Sequence, residues 1–238
     1  MVAMENHLKV TGLQASYGES QVLWGVDLNV KKRAITTIMG RNGVGKSTTL
    51  KTIMGLVSGK AGSIELNGQA IEDLPTFERA RKGLGLVPQG REIIPKLTVY
   101  ENLIAGLGAN SRKGAKVPEE EIYSLFPILK DFRNRMGGDL SGGQQQQLAI
   151  ARALCGDPEI LLLDEPTEGI QPSIIAEIGE VLQALVNERN LSVLLVEQKF
   201  DFAKRITDHF FIMDRGKVVQ SGAAHEIDLE ELQANIAI

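Results

Sequence analysis

Eight consecutive residues, Gly40-Arg41-Asn42-Gly43-Val44-Gly45-Lys46-Ser47, constrain this chain more than any other run. They follow an apolar, β-rich segment (residues 34–39) and open a stretch patterned as a helix from Lys46 to about Met54. A strand that passes through three glycines into a helix is a strand–loop–helix unit of the phosphate-binding kind. The glycines let the backbone curl until successive N–H groups converge on an anion, at a helix end that already carries partial positive charge. Lys46 adds a full charge, and the Ser47 hydroxyl suits Mg²⁺. The run, with Thr48 beside it, is therefore the candidate binding loop for a nucleoside triphosphate.

At 238 residues the chain is long enough to bury a large core, and 43% hydrophobic with 24% charged residues is an ordinary globular balance. A formal charge of −4 gives no electrostatic reason to expect nucleic acid or an anionic lipid surface as partner. The longest apolar stretches, residues 160–163 and 191–196, fall far short of a membrane span, so no direct insertion is expected. Residues 1–11 are short, mixed and polar, unlike a signal peptide. Cys155 is the one cysteine, which excludes an intrachain disulfide, fits a reducing cytoplasm and reads as a small buried thiol.

The first third reads as strands. Leu8, Val10 and Leu13 alternate, a second β-like run covers residues 22–30 after the Gly18-Glu19-Ser20 turn, and residues 63–66 lead into an Asn67-Gly68 hairpin turn. Beyond the glycine loop, apolar runs at residues 84–88, 160–164, 191–196 and 210–213 alternate with helical patterns. The strongest of these starts near Pro172, with Ile174, Ile175, Ile178, Val181, Leu182 and Leu185 on one face. Near-continuous apolar strands between helices predict an α/β fold with a mainly parallel sheet covered on both faces, preceded by an antiparallel β-subdomain. Residues from roughly Gly90 to Gly138 carry Pro95, Pro118 and Pro127 and no clear buried strand. They read as an α-helical subdomain, at about 90–150, inserted into a single domain. Residues 111–116 read as a solvated loop, and Asp214-Arg215-Gly216-Lys217 as a hairpin turn.

Two further runs carry chemistry. Ile160-Leu161-Leu162-Leu163-Asp164-Glu165 is a buried strand that delivers two carboxylates to the sheet edge where the glycine loop also lies. Asp164 suits the Mg²⁺ shell, and Glu165 suits a base for the attacking water. Leu140-Ser141-Gly142-Gly143-Gln144 contains a capping box, with Ser141 as N-cap and Gln144 reaching back. A cap alone does not require Gly142 and Gly143, which are poor helix formers. Bare amides there suit the close approach of a second phosphate group, offered to another chain's nucleotide.

These three elements, in this order, resemble the ATP-binding subunit of an ABC transporter, and the resemblance covers essentially the whole chain. It implies a P-loop ATPase fold and a sandwich of two such subunits around two ATP molecules. Each ATP then lies between one P-loop and the other chain's Ser141–Gln144 region. By the same resemblance Tyr17 stacks on adenine, and Gln89, in Val87-Pro88-Gln89-Gly90, links Mg²⁺ and the attacking water to the helical subdomain. Two departures matter. Glu168-Gly169-Ile170-Gln171 stands where most members have Ser-Ala-Leu-Asp, and Gln198 stands where most have a switch histidine. A glutamine amide still donates to a γ-phosphate but carries no proton or positive charge. Gln198 is thus expected to keep a γ-phosphate contact, with ATP turnover retained but modest.

Those departures, with Arg91-Glu92-Ile93-Ile94-Pro95, are similar to ATPases of branched-chain amino-acid-type importers. The Gly137–Gln147 run, Thr167-Glu168-Gly169-Ile170-Gln171-Pro172-Ser173 and Val196-Glu197-Gln198-Lys199-Phe200-Asp201-Phe202-Ala203 look most like the urea importer's ATPase. The resemblance therefore implies a motor subunit at the cytoplasmic membrane face. Its partners are transmembrane permeases, a second, different ATPase subunit (the isolated chain being a monomer or a homodimer) and, indirectly, a solute-binding protein. The loops around Gln89 to Asn102 are the expected contact to the permease. A soluble ABC ATPase acting on DNA or ribosomes is the competing reading; the chain has no sustained heptads and only one ATPase unit. A degenerate, non-hydrolysing subunit is the third, kept open by Gln198 and Gln171 and opposed by Glu165 and Lys46.

Overall fold

The structure is a computed structural model and describes residues 5–227. Strands β1 (Asn6–Tyr17) and β2 (Ser20–Lys31) form the first hairpin, β4 (Gly59–Leu66) adds to β1, and β5 (Gln69–Ala70) adds to β4. The result is an antiparallel sheet in the order β2-β1-β4-β5. A second sheet contains β3 (Ile35–Met39), β6 (Leu84–Val87), β7 (Ile160–Asp164), β8 (Ser192–Val196), β9 (His209–Asp214) and β10 (Lys217–Ala223). Its order is β10-β9-β3-β8-β7-β6, parallel throughout except for the edge pair β9 and β10. The Asp214–Lys217 turn closes that pair as the sequence pattern predicts. The strand it closes onto has no apolar run and is missed by periodicity, because β10 is an edge with one solvated face.

Every residue of β3, β7 and β8 is buried, which is why these strands read as continuous apolar runs. The pleat sends alternate residues to opposite sides. Leu161, Leu163, Val193 and Leu195 join one core, whereas Ile160, Leu162, Leu194 and Val196 join another. The second core is roofed by the antiparallel sheet (Leu8, Val10, Leu23, Val26) and by α1 (Lys46–Met54). The first is covered by α6 (Gly142–Leu154) and α7 (Pro172–Arg189), whose Ile178, Leu182 and Leu185 face inward as the helical spacing predicts. Burying one such leucine is worth about 1.5–3 kcal/mol, so the strand ends that bear the site rest on a rigid platform.

Between β6 and β7 the chain forms α3 (Val99–Gly106), α4 (Glu119–Leu125), α5 (Pro127–Asp131) and α6, with no strand among the described residues. Asn102 corrects one expectation. It is fully buried in the first half of α3 rather than on a contact loop. Its amide donates to the carbonyls of Ile94, Leu97 and Thr98 and its oxygen accepts the Ile94 N–H, so it knits the preceding segment together. Residues 111–116 are an irregular, mostly exposed loop. The two remaining α-helices among the described residues, α2 (Thr76–Arg81) and α8 (Phe200–Ile206), are too short to leave a clear periodic signal. From α2, buried Arg79 donates to the Thr52 and Ile53 carbonyls at the C-terminal end of α1, and to Glu72 and Leu74. No described helix is long and apolar enough to cross a membrane.

Candidate active site

The glycine loop leaves β3 and turns into α1 through Gly45, which has φ +107° and serves as the N-cap without a side-chain hydrogen bond. A Cβ on Gly45 would lie 2.8 Å from Leu23 Cδ2, and one on Gly40 (φ +153°) would lie 2.3 Å from the Met213 carbonyl oxygen. Both positions therefore need glycine for space as well as for backbone angle. Val44 turns the other way. It is buried against the second core and its carbonyl accepts the Gly216 N–H. The first amides of α1 are left without a side-chain cap, facing a cavity of about 500 Å³.

From the loop, Asn42, Gly43, Gly45, Lys46, Ser47 and Thr48 line this cavity, whereas Gly40 and Arg41 line a neighbouring cleft with Pro172 and Phe200. Lys46 is 4% exposed; its Nζ donates to the Gly40 and Arg41 carbonyls and stands 3.8 Å from Glu165 Oε1. Burial pulls its ammonium below the ordinary lysine value, opposed by the Glu165 and Asp164 carboxylates. The Ser47 hydroxyl donates to Asp164 Oδ1 at 2.8 Å. Asp164 Oδ2 is buried and has no hydrogen-bond partner, and burial pushes this carboxyl above the ordinary aspartate range.

Glu165 follows directly, where the backbone leaves β7 with a positive φ of 49°. That angle is uncommon for a residue with a Cβ and turns the carboxylate across the mouth of the loop. Gln89, just past β6, donates to Glu165 Oε2 at 3.3 Å and to Glu168 Oε2 at 3.0 Å. Gln198, just past β8, donates to Glu165 Oε1. Residues from three adjacent strand ends thus meet around one carboxylate.

Two sequence-predicted groups lie elsewhere. Tyr17 is half-exposed at the end of β1 and does not line the 500 Å³ cavity; Val22 reaches it from β2. Ser141, Gly142, Gly143 and Gln144 form the N-terminal turn of α6 and also do not line it. There the capping box is complete: Ser141 Oγ accepts the Gln144 N–H at 3.4 Å, and Gln144 Oε1 accepts the Ser141 N–H at 3.0 Å.

Several site residues escape sequence reasoning. Glu197, Lys199, Thr167 and Glu168 all line the cavity. Arg152, on α6, donates to the carbonyls of Arg91 and Glu92, two successive residues with positive φ, and Arg91 donates to the Glu168 carbonyl. No local motif announces these contacts. His7 is engaged elsewhere, with Nδ1 2.8 Å from Ser192 Oγ and Nε2 3.1 Å from Glu159 Oε2, at the start of β8 and just before β7. Cys155 is buried, and its thiol is pushed up to about 12.

A parallel sheet carrying an amide-lined loop, a buried lysine and an acidic pair at the next-but-one strand end defines a P-loop nucleoside triphosphatase. Residues 23–168 match the family model described as ABC transporter. A high-affinity branched-chain amino acid transport ATP-binding protein of Pseudomonas aeruginosa is 40% identical over 210 residues, 87% of this chain and 90% of the relative. A lipopolysaccharide export system ATP-binding protein of Haemophilus influenzae is 33% identical over 94% of this chain and 93% of its own length. Among solved structures, a dimeric ATP-binding cassette in a post-hydrolysis state, bound to ADP and Pi, superposes with a TM-score of 0.81 at 30% identity. That match covers 91% of this chain and 98% of that one. The chain belongs to the ABC transporter family, as an ATP-binding subunit, and it is an ATPase.

Proposed function

We propose that the chain is the ATP-hydrolysing motor subunit of an ABC importer for branched-chain amino acids. One observation carries the catalytic part: Gln89, Gln198 and Lys46 converge on the Glu165 carboxylate at the open end of the P-loop cavity. In this reading the α1 amides of Gly45 to Thr48, with Asn42 and Gly43, hold the β- and γ-phosphates. Lys46 exchanges its two carbonyl partners for phosphate oxygens. Glu165 takes a proton from the attacking water, Gln89 orients that water, and Gln198 donates to the γ-phosphate. Tyr17 stacks on the adenine ring from outside the phosphate cavity.

The residues fit Mg²⁺: Ser47 and Asp164 present hard oxygens, Gln89 adds an amide oxygen, and the orphaned Asp164 Oδ2 is a carboxylate oxygen awaiting a partner. When bound, Mg²⁺ supplies charge that neutralises the β- and γ-phosphate oxygens. The separation of Ser141–Gln144 from the chain's own cavity supports a sandwich in which these residues meet a second subunit's nucleotide. That subunit is a different ATPase in the assembled importer, and the isolated chain is a monomer or pairs with a second copy. The chain is read as one ATPase domain with a helical subdomain at about 90–150, docked on permeases at the cytoplasmic membrane face without entering the bilayer.

Branched-chain amino acids are favoured as solute because the 40% identical relative carries that activity in its name, whereas the relative at 33% is named for export. A second reading, urea, rests on the three runs that include Thr167–Ser173 and Val196–Ala203. Nothing in the site reads the solute, so the test is assembly. In proteoliposomes with the cognate permease, a leucine- or valine-loaded binding protein should stimulate ATP turnover. Stimulation by a urea-loaded binder alone would replace the amino-acid assignment. Glu165→Gln tests the motor: it should keep MgATP affinity while turnover falls at least about 100-fold. Unchanged turnover would remove Glu165 as the base.

A further inference from the structure

Glu197 is a buried ionisable group lining the phosphate cavity that the catalytic reading does not use. It is 2% exposed at the end of β8, on the floor of the phosphate cavity. Both carboxylate oxygens are engaged. Oε1 accepts two successive backbone amides, from Gln198 at 2.8 Å and Lys199 at 3.0 Å, and Oε2 accepts the Thr167 hydroxyl at 2.8 Å. Thr167 is itself fully buried, and its carbonyl accepts Lys199 Nζ at 2.9 Å. The carboxylate therefore spans two loops, the one that follows β7 with Glu165 and the one that follows β8 with Gln198.

Its anchor is rigid, because the Glu197 N–H donates to the Ile38 carbonyl of β3, the strand that feeds the P-loop. Accepting amides from the next two residues makes the chain turn as soon as it leaves β8, and that turn aims the Gln198 side chain at Glu165. A neutral hydrophobic residue here would leave two amides and a buried hydroxyl without an acceptor. Burial pushes the Glu197 carboxyl above its ordinary range while the Lys199 and Gln198 amides and the Thr167 hydroxyl pull it back, as expected of a carboxylate kept for its hydrogen bonds.

We propose that Glu197 is a positioning residue for ATP hydrolysis: it ties the Thr167 loop to the Gln198 turn and so sets the distance between Gln198 and Glu165. The inference rests on the assignment of Glu165 and Gln198 to the chemical step. Because the contacts of Glu197 are to protein groups, its loss acts on kcat and not on nucleotide affinity. Misplacement of a reacting geometry by about 1 Å costs on the order of 100-fold.

The experiment measures kcat, KM, MgATP affinity by calorimetry and thermal melting on the full chain and four variants. Glu197→Ala should lower kcat about 10- to 100-fold and move KM and affinity less than about twofold. Glu197→Gln should recover kcat to within about fivefold of the parent, because its amide oxygen accepts the two backbone amides and its NH₂ donates to Thr167. Should Glu197→Ala fail to fold, Glu197→Gln with Thr167→Val carries the test. Thr167→Val removes one tether and should lower kcat about 3- to 10-fold at unchanged KM. A parental kcat in Glu197→Ala or Thr167→Val, a rise in KM alone, or Glu197→Gln as slow as Glu197→Ala would each overturn the proposal. Glu165→Gln separates the two layers: if it turns over normally the catalytic assignment fails. If it is dead while Glu197→Ala is normal, only the positioning role fails.

Discussion

Two helices of this chain begin with glycines, and their N-termini are finished in opposite ways. At α1, Gly45 sits in a left-handed conformation and no side chain caps the amides that follow. At α6, Gly142 and Gly143 follow Ser141, and Ser141 and Gln144 satisfy each other's backbone N–H groups. An N-terminus left bare inside a cavity is held ready for an anion of the same chain. The one at α6, away from that cavity, closes two of its own N–H groups through its cap. The contrast extends to the far end of α1, where buried Arg79 secures carbonyls that the open N-terminus cannot help to hold.

That comparison can be broken at four points. The largest effect is expected from Arg79→Met, which strands the Ile53 carbonyl and takes one of two partners from the Thr52 carbonyl, the other being the Gly55 N–H. Urea unfolding should report a loss of roughly 3 kcal/mol, and a loss below about 1 kcal/mol would mean α1 holds itself. Next, Lys46→Ala should weaken MgATP binding about 100-fold, near 2.7 kcal/mol, in a titration with a fluorescent ATP analogue. An unchanged affinity would show that the bare amides suffice. Ser141→Ala removes a cap that serves the chain itself, so the folded state should lose about 1 kcal/mol. A change within error would mean the Gln144 contact carries the turn.

The smallest effect is a gain. The folded Asp164 carboxyl titrates above its unfolded value, so at pH values between the two the folded state holds a proton that the unfolded state has released. Its contribution is present below the ordinary aspartate value and is lost as pH rises through the raised folded value. Without nucleotide, Asp164→Asn should therefore melt a few degrees above the parent at neutral pH and show no advantage in acid. Equal melting at both pH values would remove the cost ascribed to this buried, half-partnered carboxylate.

The helix starts were legible because each is written in adjacent residues. Lys46 to Met54, the Ser141–Gln144 cap, the apolar strand ending in Asp164 and Glu165, and the Pro172 helix all follow from local spacing, and the structure has them at those positions. β10 was not legible, since an edge strand has one wet face and little apolar signal. The helical, buried placement of Asn102, the far bound given to the expected contact loops, was not legible, because its side chain is held by four backbone groups that no local pattern announces.

By itself, the order of residues determined the phosphate loop, the acidic pair, the alternation of strand and helix, and the self-capped glycine pair. These depend on neighbours along the chain and on backbone angles that glycine alone adopts easily. Only the tertiary structure decided that Gln89, Gln198 and Lys46 surround one carboxylate, that Glu197 ties two loops beneath it, and that Ser141–Gln144 lie apart from the cavity. Those relations cross strands far apart in sequence. They exist because parallel pairing of β6, β7, β8 and β3 brings their carboxyl ends to one edge, a register set by burial on both faces of the sheet.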